Sequence, residues 1–232
     1  MKNRKDRDET GLFLAEGRKL VDELLAARWR VEAILVADTS LDAEGDFGYG
    51  LTPEQMQRVS GFRTAPEVVA VVQKPLSLEQ PRWEPNTLSL VLDGLQDPGN
   101  VGTLIRTAAW FGVRSVFYTP DTADPFGPKA VQASMGALFR VKTGIVDESW
   151  FDGLPSGTPV IGTFLEGDSV FGASLPTEGL LVLGNEGHGI GSSLGSRVNR
   201  RVTVPRFGSG AESLNVAAAA AVVLAEFRRG LS

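Results

Sequence analysis

The chain has 232 residues, 42% hydrophobic and 22% charged, with a formal charge of −5, a composition typical of one large or two small globular domains. It has no cysteine and one histidine, His188, which excludes disulfides and cysteine-ligated metals and argues against a histidine-based metal site. The charged start is unlike a signal peptide, and no apolar run approaches the roughly 18 residues of a membrane span, so we expect a cytoplasmic protein.

Four predicted elements fill the first third of the chain. Apolar residues at helical spacing predict a helix over 12–27, and capping and stop residues predict a second helix over 51–61. Apolar, β-branched runs predict strands over 31–38 and 68–75. This alternation indicates a small α/β unit over residues 1–75.

A proline-rich stretch separates this unit from the remainder. Residues 75–87 contain three prolines and no periodicity, so we predict a linker or an extended edge crossing over 76–87. Apolar strands and helices then alternate through 88–232, which indicates a mostly parallel sheet covered on both faces. The predicted strands are 88–94, 115–120, 139–146, 159–165, 179–186 and 201–207, and the predicted helices are 100–111, 127–138 and 213–229. In such sheets ligands bind beyond the carboxyl ends of the strands.

The first polar loop at a strand end follows the strand 88–94. Asp97 and Asn100 are natural helix-cap residues there, and Arg106 lies in the helix that follows, among mostly apolar neighbours. A cation in that setting needs an anion or a polar target. Arg106 either pairs with Asp93 or Asp97, within an ordinary βα loop, or serves a binding site.

The second loop is rich in glycine and ends the strand in "GLLVLGNEGHGI". Several glycines allow a backbone to pass close to a ligand with its amides exposed, although the spacing matches neither a dinucleotide fingerprint nor a P-loop. Glu186 is a candidate orienting carboxylate. His188 is either incidental or catalytic.

The third loop joins a strand that stops at Pro205 to the C-terminal helix. We expect that helix to begin near Ser213 as its N-cap, with Asn215 in the first turn. A short amide is not favoured there for stability, so Asn215 is a candidate for ligand binding. Three such loops in one sheet domain can converge on one pocket.

Basic residues form two clusters, which are either solvated faces or a nucleic-acid footprint. The N-terminal cluster comprises Lys2, Arg4, Lys5, Arg7, Arg18, Lys19, Arg28 and Arg30, and the second comprises Arg197, Arg200, Arg201 and Arg206.

With these loops, residues 88–232 resemble the SpoU (TrmH-type) RNA methyltransferases of the SPOUT superfamily. The segments "DPGNVGTLIRTAAWFG", "LVLGNEGHGI" and "VPRFGSGAESLNVAAAAAV" are similar to the three family motifs, in order. Residues 1–75, with "GLFLAEGRKLVDELL", are similar to the ribosomal-protein-like RNA-binding domain of many members. Arg206 departs from the apolar residue that often follows the proline; it either contacts a phosphate or only alters solubility.

The resemblance implies a fold, a cofactor and partners that periodicity alone does not. It implies a deep trefoil knot, a homodimer, bound S-adenosylmethionine, and methylation of a ribose 2′-hydroxyl in a structured RNA, rRNA rather than tRNA, without a metal. The implied catalytic residues are Asn100, Arg106, Glu186, Ser213 and Asn215. The implied donor-binding residues are Leu183, Gly184, Asn185, Gly187, Val204, Pro205 and Leu214.

The resemblance implies that Arg106 activates the ribose hydroxyl, but arginine side chains in proteins stay protonated. We therefore favour a clamp that stabilises alkoxide charge and grips the adjacent phosphate over a general base. Asn100 and Ser213 would then position Arg106 and the ribose, and Asn215 and Glu186 would shape the loops. Two other functions stay open: methylation of a base such as guanine N1, and a non-catalytic RNA-binding or ribosome-assembly role.

Overall fold

The protein is described by a computed structural model that covers residues 1, 3–38, 48–75, 81–210 and 212–229. These residues form two sheets, one of four strands and one of six. The first sheet, in the order β1-β4-β2-β3, consists of β1 (Leu12–Glu16), β2 (Val31–Val36), β3 (Gly48–Gly50) and β4 (Val68–Gln73). Its helices are α1 (Arg4–Thr10), α2 (Arg18–Ala26) and α3 (Pro53–Val59).

The helix predicted over 12–27 is wrong in its first part. Residues Leu12–Glu16 form strand β1, which pairs antiparallel with β4, and only Arg18–Ala26 are helical. Gly17 separates the two elements with a φ of 98°, a left-handed value that favours glycine. The prediction failed because the apolar residues of β1, a strand buried on both faces, continue the helical spacing of α2.

The second sheet is parallel at every pairing between the described strands. Its order is β10-β8-β9-β5-β6-β7. The strands are β5 (Leu88–Leu92), β6 (Ser115–Tyr118), β7 (Lys142–Ile145), β8 (Val160–Ser169), β9 (Gly179–Leu183) and β10 (Arg200–Thr203). The helices are α4 (Pro98–Trp110), α5 (Pro128–Ser134), α6 (Glu148–Asp152), α7 (Ser192–Gly195) and α8 (Val216–Arg228), with a 3-10 helix at Ala137–Arg140.

Both faces of this sheet are covered, as the continuous apolar strands predicted. On one face Leu90 and Leu92 pack with Leu104 of α4 and Leu224 of α8. On the other face Val91, Leu180 and Val182 pack with Trp150, Phe151 and Leu194. Strands buried on both sides read as unbroken apolar runs, because neither face reaches water.

The close packing of α4 depends on a glycine. A Cβ at Gly102 would lie 2.3 Å from the carbonyl oxygen of Ala130 in α5. Only a residue without a side chain allows the two helices to approach so closely. This contact holds the N-terminal half of α4, which carries Asn100, over the sheet.

The segment 81–87 runs along the outer part of the second sheet, while residues 76–80 of the predicted linker lie outside the described residues. The indole of Trp150 donates to the carbonyl of Pro81, and Lys142 in the edge strand β7 pairs with Glu84 at 2.6 Å. The described part of this segment is therefore tied to the sheet.

The two sheets share one hydrophobic core. Phe13 of β1 packs on Phe126 with ring centroids 5.1 Å apart, and the Trp29 indole donates to the carbonyl of Phe139 at 2.9 Å. Arg7 and Asp124 form a buried ion pair at 2.7 Å across the same boundary. Unfolding the N-terminal sheet would expose apolar surface of the second one.

Candidate active site

Helix α4 begins two residues earlier than predicted, because Asp97 rather than Asn100 caps it. The Asp97 carboxylate accepts a hydrogen bond from the amide of Gly99 at 2.8 Å and pairs with Lys129 at 2.7 Å. The hydrogen bond from Lys129, more than the one from Gly99, holds the pKa of Asp97 below its usual value. Asn100 therefore lies in the first turn of the helix, with its side chain available for other contacts.

Arg106 lies on the outer face of α4, between buried Ile105 and half-buried Thr107. Its guanidinium makes no hydrogen bond or ion pair with any residue that the structure describes. The alternative in which it pairs with Asp93 or Asp97 is wrong, because Asp97 binds Lys129 and Asp93 accepts from the amide of Gly191. An exposed arginine without an internal partner is available to a ligand.

The second loop folds back on itself directly after β9. The backbones of Asn185 and Gly189 exchange two hydrogen bonds of 2.9 Å each. The Asn185 side chain donates to the carbonyl of Gly94 at 2.7 Å and accepts from the amide of Gly187 at 2.7 Å. A Cβ at Gly184 would lie 2.2 Å from the backbone of Gly189, so the fold of this loop requires glycine there.

Three side chains connect the three loops. The Asn100 amide donates to Glu186 Oε1 at 2.7 Å, and the Asn215 amide donates to Asn100 Oδ1 at 3.2 Å. Asn185 in turn fastens the second loop to the end of β5 through Gly94. The convergence predicted for these loops is therefore present in the fold.

The C-terminal helix begins later than predicted. Its N-cap is Asn215, whose Oδ1 accepts from the amides of Ala217 at 2.9 Å and Ala218 at 3.3 Å. The predicted cap, Ser213, is exposed and makes no hydrogen bond within the described ranges. Asparagine is among the best N-cap residues, so Asn215 has a structural role beside its link to Asn100.

The donor-binding residues implied by the resemblance lie in the second and third loops or at the ends of the strands that lead into them. Leu183 is fully buried at the end of β9, and Leu214 next to the cap is 53% exposed. Val204 and Pro205 are half-buried directly after β10. Strand β9 carries the second loop and β10 the third, with β8 between them in the sheet.

Asp93, considered above only as a partner for Arg106, anchors the second loop. Its Oδ2 accepts from the amide of Gly191 at 2.7 Å, where the loop leads into α7. Burial raises the pKa of Asp93, Asp121 adds to that rise, and the Gly191 amide and His188 oppose it. In the sequence, the signal for this anchoring role is a carboxylate placed directly after a strand that is buried throughout.

Several of the basic residues are committed to internal contacts. Arg7 is 4% exposed and paired with Asp124, and Arg197 pairs with Glu148 and Asp152. These residues hold the fold together and do not present a free basic surface. Lys2 lies outside the described residues.

Among the residues that the structure describes, no three acidic, histidine or cysteine side chains are grouped so that they would hold a metal ion. No helix in the same ranges has the length and apolar character needed to cross a membrane.

Comparison with known proteins relates both parts of the chain to RNA-modifying enzymes. The chain is 33% identical over 232 residues to the 23S rRNA (guanosine(2553)-2′-O)-methyltransferase RlmP of Bacillus subtilis, covering 97% of this chain and 92% of that protein. The structure matches the SpoU methyltransferase AviRb from Streptomyces viridochromogenes in complex with AdoMet (TM-score 0.86, 28% identity, 99% of this chain and 94% of that one). It also matches an AdoMet-bound rRNA methyltransferase from Sinorhizobium meliloti (TM-score 0.83, 28% identity, 100% and 92%).

Two family profiles divide the chain between them. Residues 1–75 match the MRM3-like substrate binding domain. Residues 87–225, which include all three converging loops, match the SpoU rRNA Methylase family, and the chain belongs to that family.

Proposed function

We propose that this protein transfers a methyl group from S-adenosylmethionine to a ribose 2′-hydroxyl of rRNA. The observation that carries the proposal is the chain of hydrogen bonds from Glu186 through Asn100 to Asn215, which joins one residue from each family motif. Relatives that match nearly the whole chain are named as 23S rRNA 2′-O-methyltransferases.

The loops after β9 and β10 have the chemistry that this methyl donor needs. Half-buried Val204 and exposed Leu214 offer apolar surface for an adenine ring, and Gly187 and Gly189 of the second loop are exposed in the chain's second motif. Structures of AviRb and of the S. meliloti enzyme contain AdoMet. S-adenosylmethionine supplies a methyl group on a sulfonium centre that is reactive without a metal. We propose Leu183, Gly184, Asn185, Gly187, Val204, Pro205 and Leu214 as its binding residues.

Arg106 is the residue that we assign to the reacting sugar. Its guanidinium has no internal partner among the described residues, and a guanidinium is a planar group of fork-shaped hydrogen-bond donors that suits anions. It therefore binds negative charge: the oxygen of the ribose as its proton leaves, and the neighbouring phosphate. Asn100 and Ser213 would position this group and the ribose, while Glu186 and Asn215 hold the loops together.

We further propose that residues 1–75 bind the RNA and that residues 88–232 carry the chemistry, joined by 76–87. Sequence similarity to a substrate binding domain supports this division. Lys19, Arg28 and Arg63 are exposed cations of the N-terminal part, and structured RNA is gripped through its phosphates and exposed bases. An rRNA substrate also favours a cytoplasmic location.

A homodimer and a knotted chain complete the proposal. Trp110 at the end of α4 is 85% exposed, which is unusual for so large an apolar side chain and suits a contact with a second copy. The trefoil knot remains a prediction from the family resemblance.

Labelled S-adenosylmethionine, incubated with total rRNA and tRNA and the full-length protein, tests the proposal. We expect label in rRNA at a ribose, detected as a site that resists alkaline cleavage. Label on a base would favour the base-methylating alternative. Absence of donor binding in calorimetry would favour the non-catalytic one.

A further inference from the structure

Two phenylalanine rings are exposed side by side beyond strands β8 and β10. Phe207 is 89% exposed and Phe171 is 41% exposed. Their ring centroids are 6.5 Å apart, with the planes inclined by 24°. Exposed apolar groups in contact with each other mark binding surfaces more often than single exposed residues do.

This aromatic pair lies directly beside the proposed donor site. Thr203 at the end of β10 pairs with Ser169 at the end of β8, and its carbonyl accepts from the amide of Val170. Phe171 and Phe207 therefore follow the carboxyl ends of two adjacent parallel strands. Phe207 is two residues beyond Pro205, in the same loop that would contact the methyl donor.

The charges around the pair are mixed. Arg206 is exposed next to Phe207, and the Arg201 guanidinium stacks 3.7 Å above the ring of Phe164. Glu166 and Asp168 are exposed on β8, the strand that leads to Phe171, so the segments that carry the two rings have charges of both signs. Ring faces, rather than net charge, are therefore the recognising feature, and the fitting ligand is a flat, aromatic one.

Two rings are too small for a stable protein interface. An aromatic side chain buries about 150–250 Å², whereas each partner of a standard interface buries about 800 Å². A single nucleobase covers such a platform completely, and bases splayed out of structured RNA stack on aromatic side chains in this way.

We propose that Phe207, supported on one side by Phe171, stacks against a nucleobase of the RNA substrate next to the ribose that receives the methyl group. This inference rests on the proposed function and deepens it, because it gives the catalytic part of the chain its own contact with RNA. Since every base has a π-face, the contact orients the RNA strand without selecting its sequence.

Three variants of Phe207 test the platform in the full-length protein. Phe207→Ala removes the ring, Phe207→Leu keeps apolar bulk without it, and Phe207→Tyr keeps the ring. The readouts are the dissociation constant for a 23S rRNA transcript by filter binding, the donor affinity by calorimetry, and the oligomeric state by sedimentation. We expect the Ala and Leu variants to bind RNA roughly 5- to 150-fold more weakly, the Tyr variant to match the wild type, and the other two readouts to stay unchanged.

Three outcomes with these variants would overturn the platform. RNA binding by the Leu variant equal to that of the wild type would show that stacking is not used. Weakened donor binding would place the ring against the donor, and a smaller sedimenting species would place it in a protein interface. A wild type that binds RNA but does not methylate it refutes the proposed function alone, whereas a wild type that binds no RNA refutes the platform as well.

Discussion

The side chains of Asn100 and Glu186, which are 86 positions apart in the sequence, are joined by a hydrogen bond of 2.7 Å. Asn100 donates through its amide nitrogen, and its amide oxygen accepts from Asn215. A side chain with one donor and one acceptor at its tip is required to make both contacts. Asn100 is therefore the connector of the three loops.

A single substitution in this hydrogen bond should disrupt the site, and a second substitution that reverses donor and acceptor should restore it. Asn100→Asp removes the hydrogen-bond donor and places two carboxylates next to each other. We therefore expect the affinity for S-adenosylmethionine, measured by calorimetry, to fall roughly 5- to 150-fold. In the double variant Asn100→Asp/Glu186→Gln the glutamine amide can donate to the aspartate, and affinity should recover. Wild-type affinity in the single variant, or no recovery in the double variant, would contradict the connector role.

The variant Arg106→Lys distinguishes the two roles considered for this residue, an electrostatic clamp and a general base. Lysine keeps the charge but lacks the planar fork, so we expect a loss in methyl transfer of about 10²–10³-fold with donor affinity unchanged. A base would regain activity as the pH approaches the lysine pKa of about 10.4, and a clamp would not. Single-turnover rates across that pH range are the measurement, and a rise in the Lys variant would refute the clamp.

Asn215 has two functions that two substitutions can separate. Asn215→Ala removes the helix cap and should lower the free energy of unfolding by about 0.5–2 kcal/mol. Asn215→Asp keeps a good cap but cannot donate to Asn100, so stability should persist while methyl transfer falls. Ser213→Ala, which removes no hydrogen bond within the described ranges, serves as the stability control. An active Asp variant would leave Asn215 with a structural role only.

The boundary between the two sheets should behave as core. Arg7→Ala leaves Asp124 buried without its partner and should cost about 3–5 kcal/mol in denaturant unfolding. Arg18→Ala breaks an exposed pair with Glu67 and should cost about 0–1 kcal/mol. Equal costs would contradict a shared core.

Because of the same contacts, deletion of residues 1–75 is a poor way to study the catalytic part. The deletion would uncover Phe126 and Phe139, which pack on Phe13 and Trp29. Loss of activity in such a fragment would report unfolding as readily as loss of RNA binding.

Asp93 should make stability depend on pH in the opposite sense to most carboxylates. In the folded protein the pKa of Asp93 is raised above the ordinary 3.8, chiefly by burial. The contribution of Asp93 to the free energy of unfolding is therefore fully present below pH 3.8 and is lost as the pH rises through the folded pKa. Asp93→Asn fixes a neutral acceptor for the Gly191 amide. The Tm of this variant should exceed that of the wild type at about pH 8, and the difference should vanish toward about pH 4. A difference that is the same at both values would contradict this.

Two features of the second domain could be predicted from the residues alone: a parallel sheet covered on both faces, and the three loops that meet at its edge. Strands β5 and β9 are apolar throughout because both of their faces are covered, and that pattern is local and readable. Parallel strands bring their carboxyl ends to one edge, so Asn100, Glu186 and Asn215 could be grouped before any coordinates were known.

The contacts of those side chains could not be predicted in the same way, because they form only when distant elements pack together. The break at Gly17, the burial of Arg7 against Asp124 and the anchoring of the second loop by Asp93 all depend on partners far away in the chain. Local periodicity carries no information on such contacts, because their energy comes from desolvation and pairing that exist only after the elements have packed. For the same reason the sequence could not exclude Asp93 or Asp97 as the partner of Arg106, because Asp97 binds Lys129 and Asp93 binds the Gly191 amide only in the packed structure.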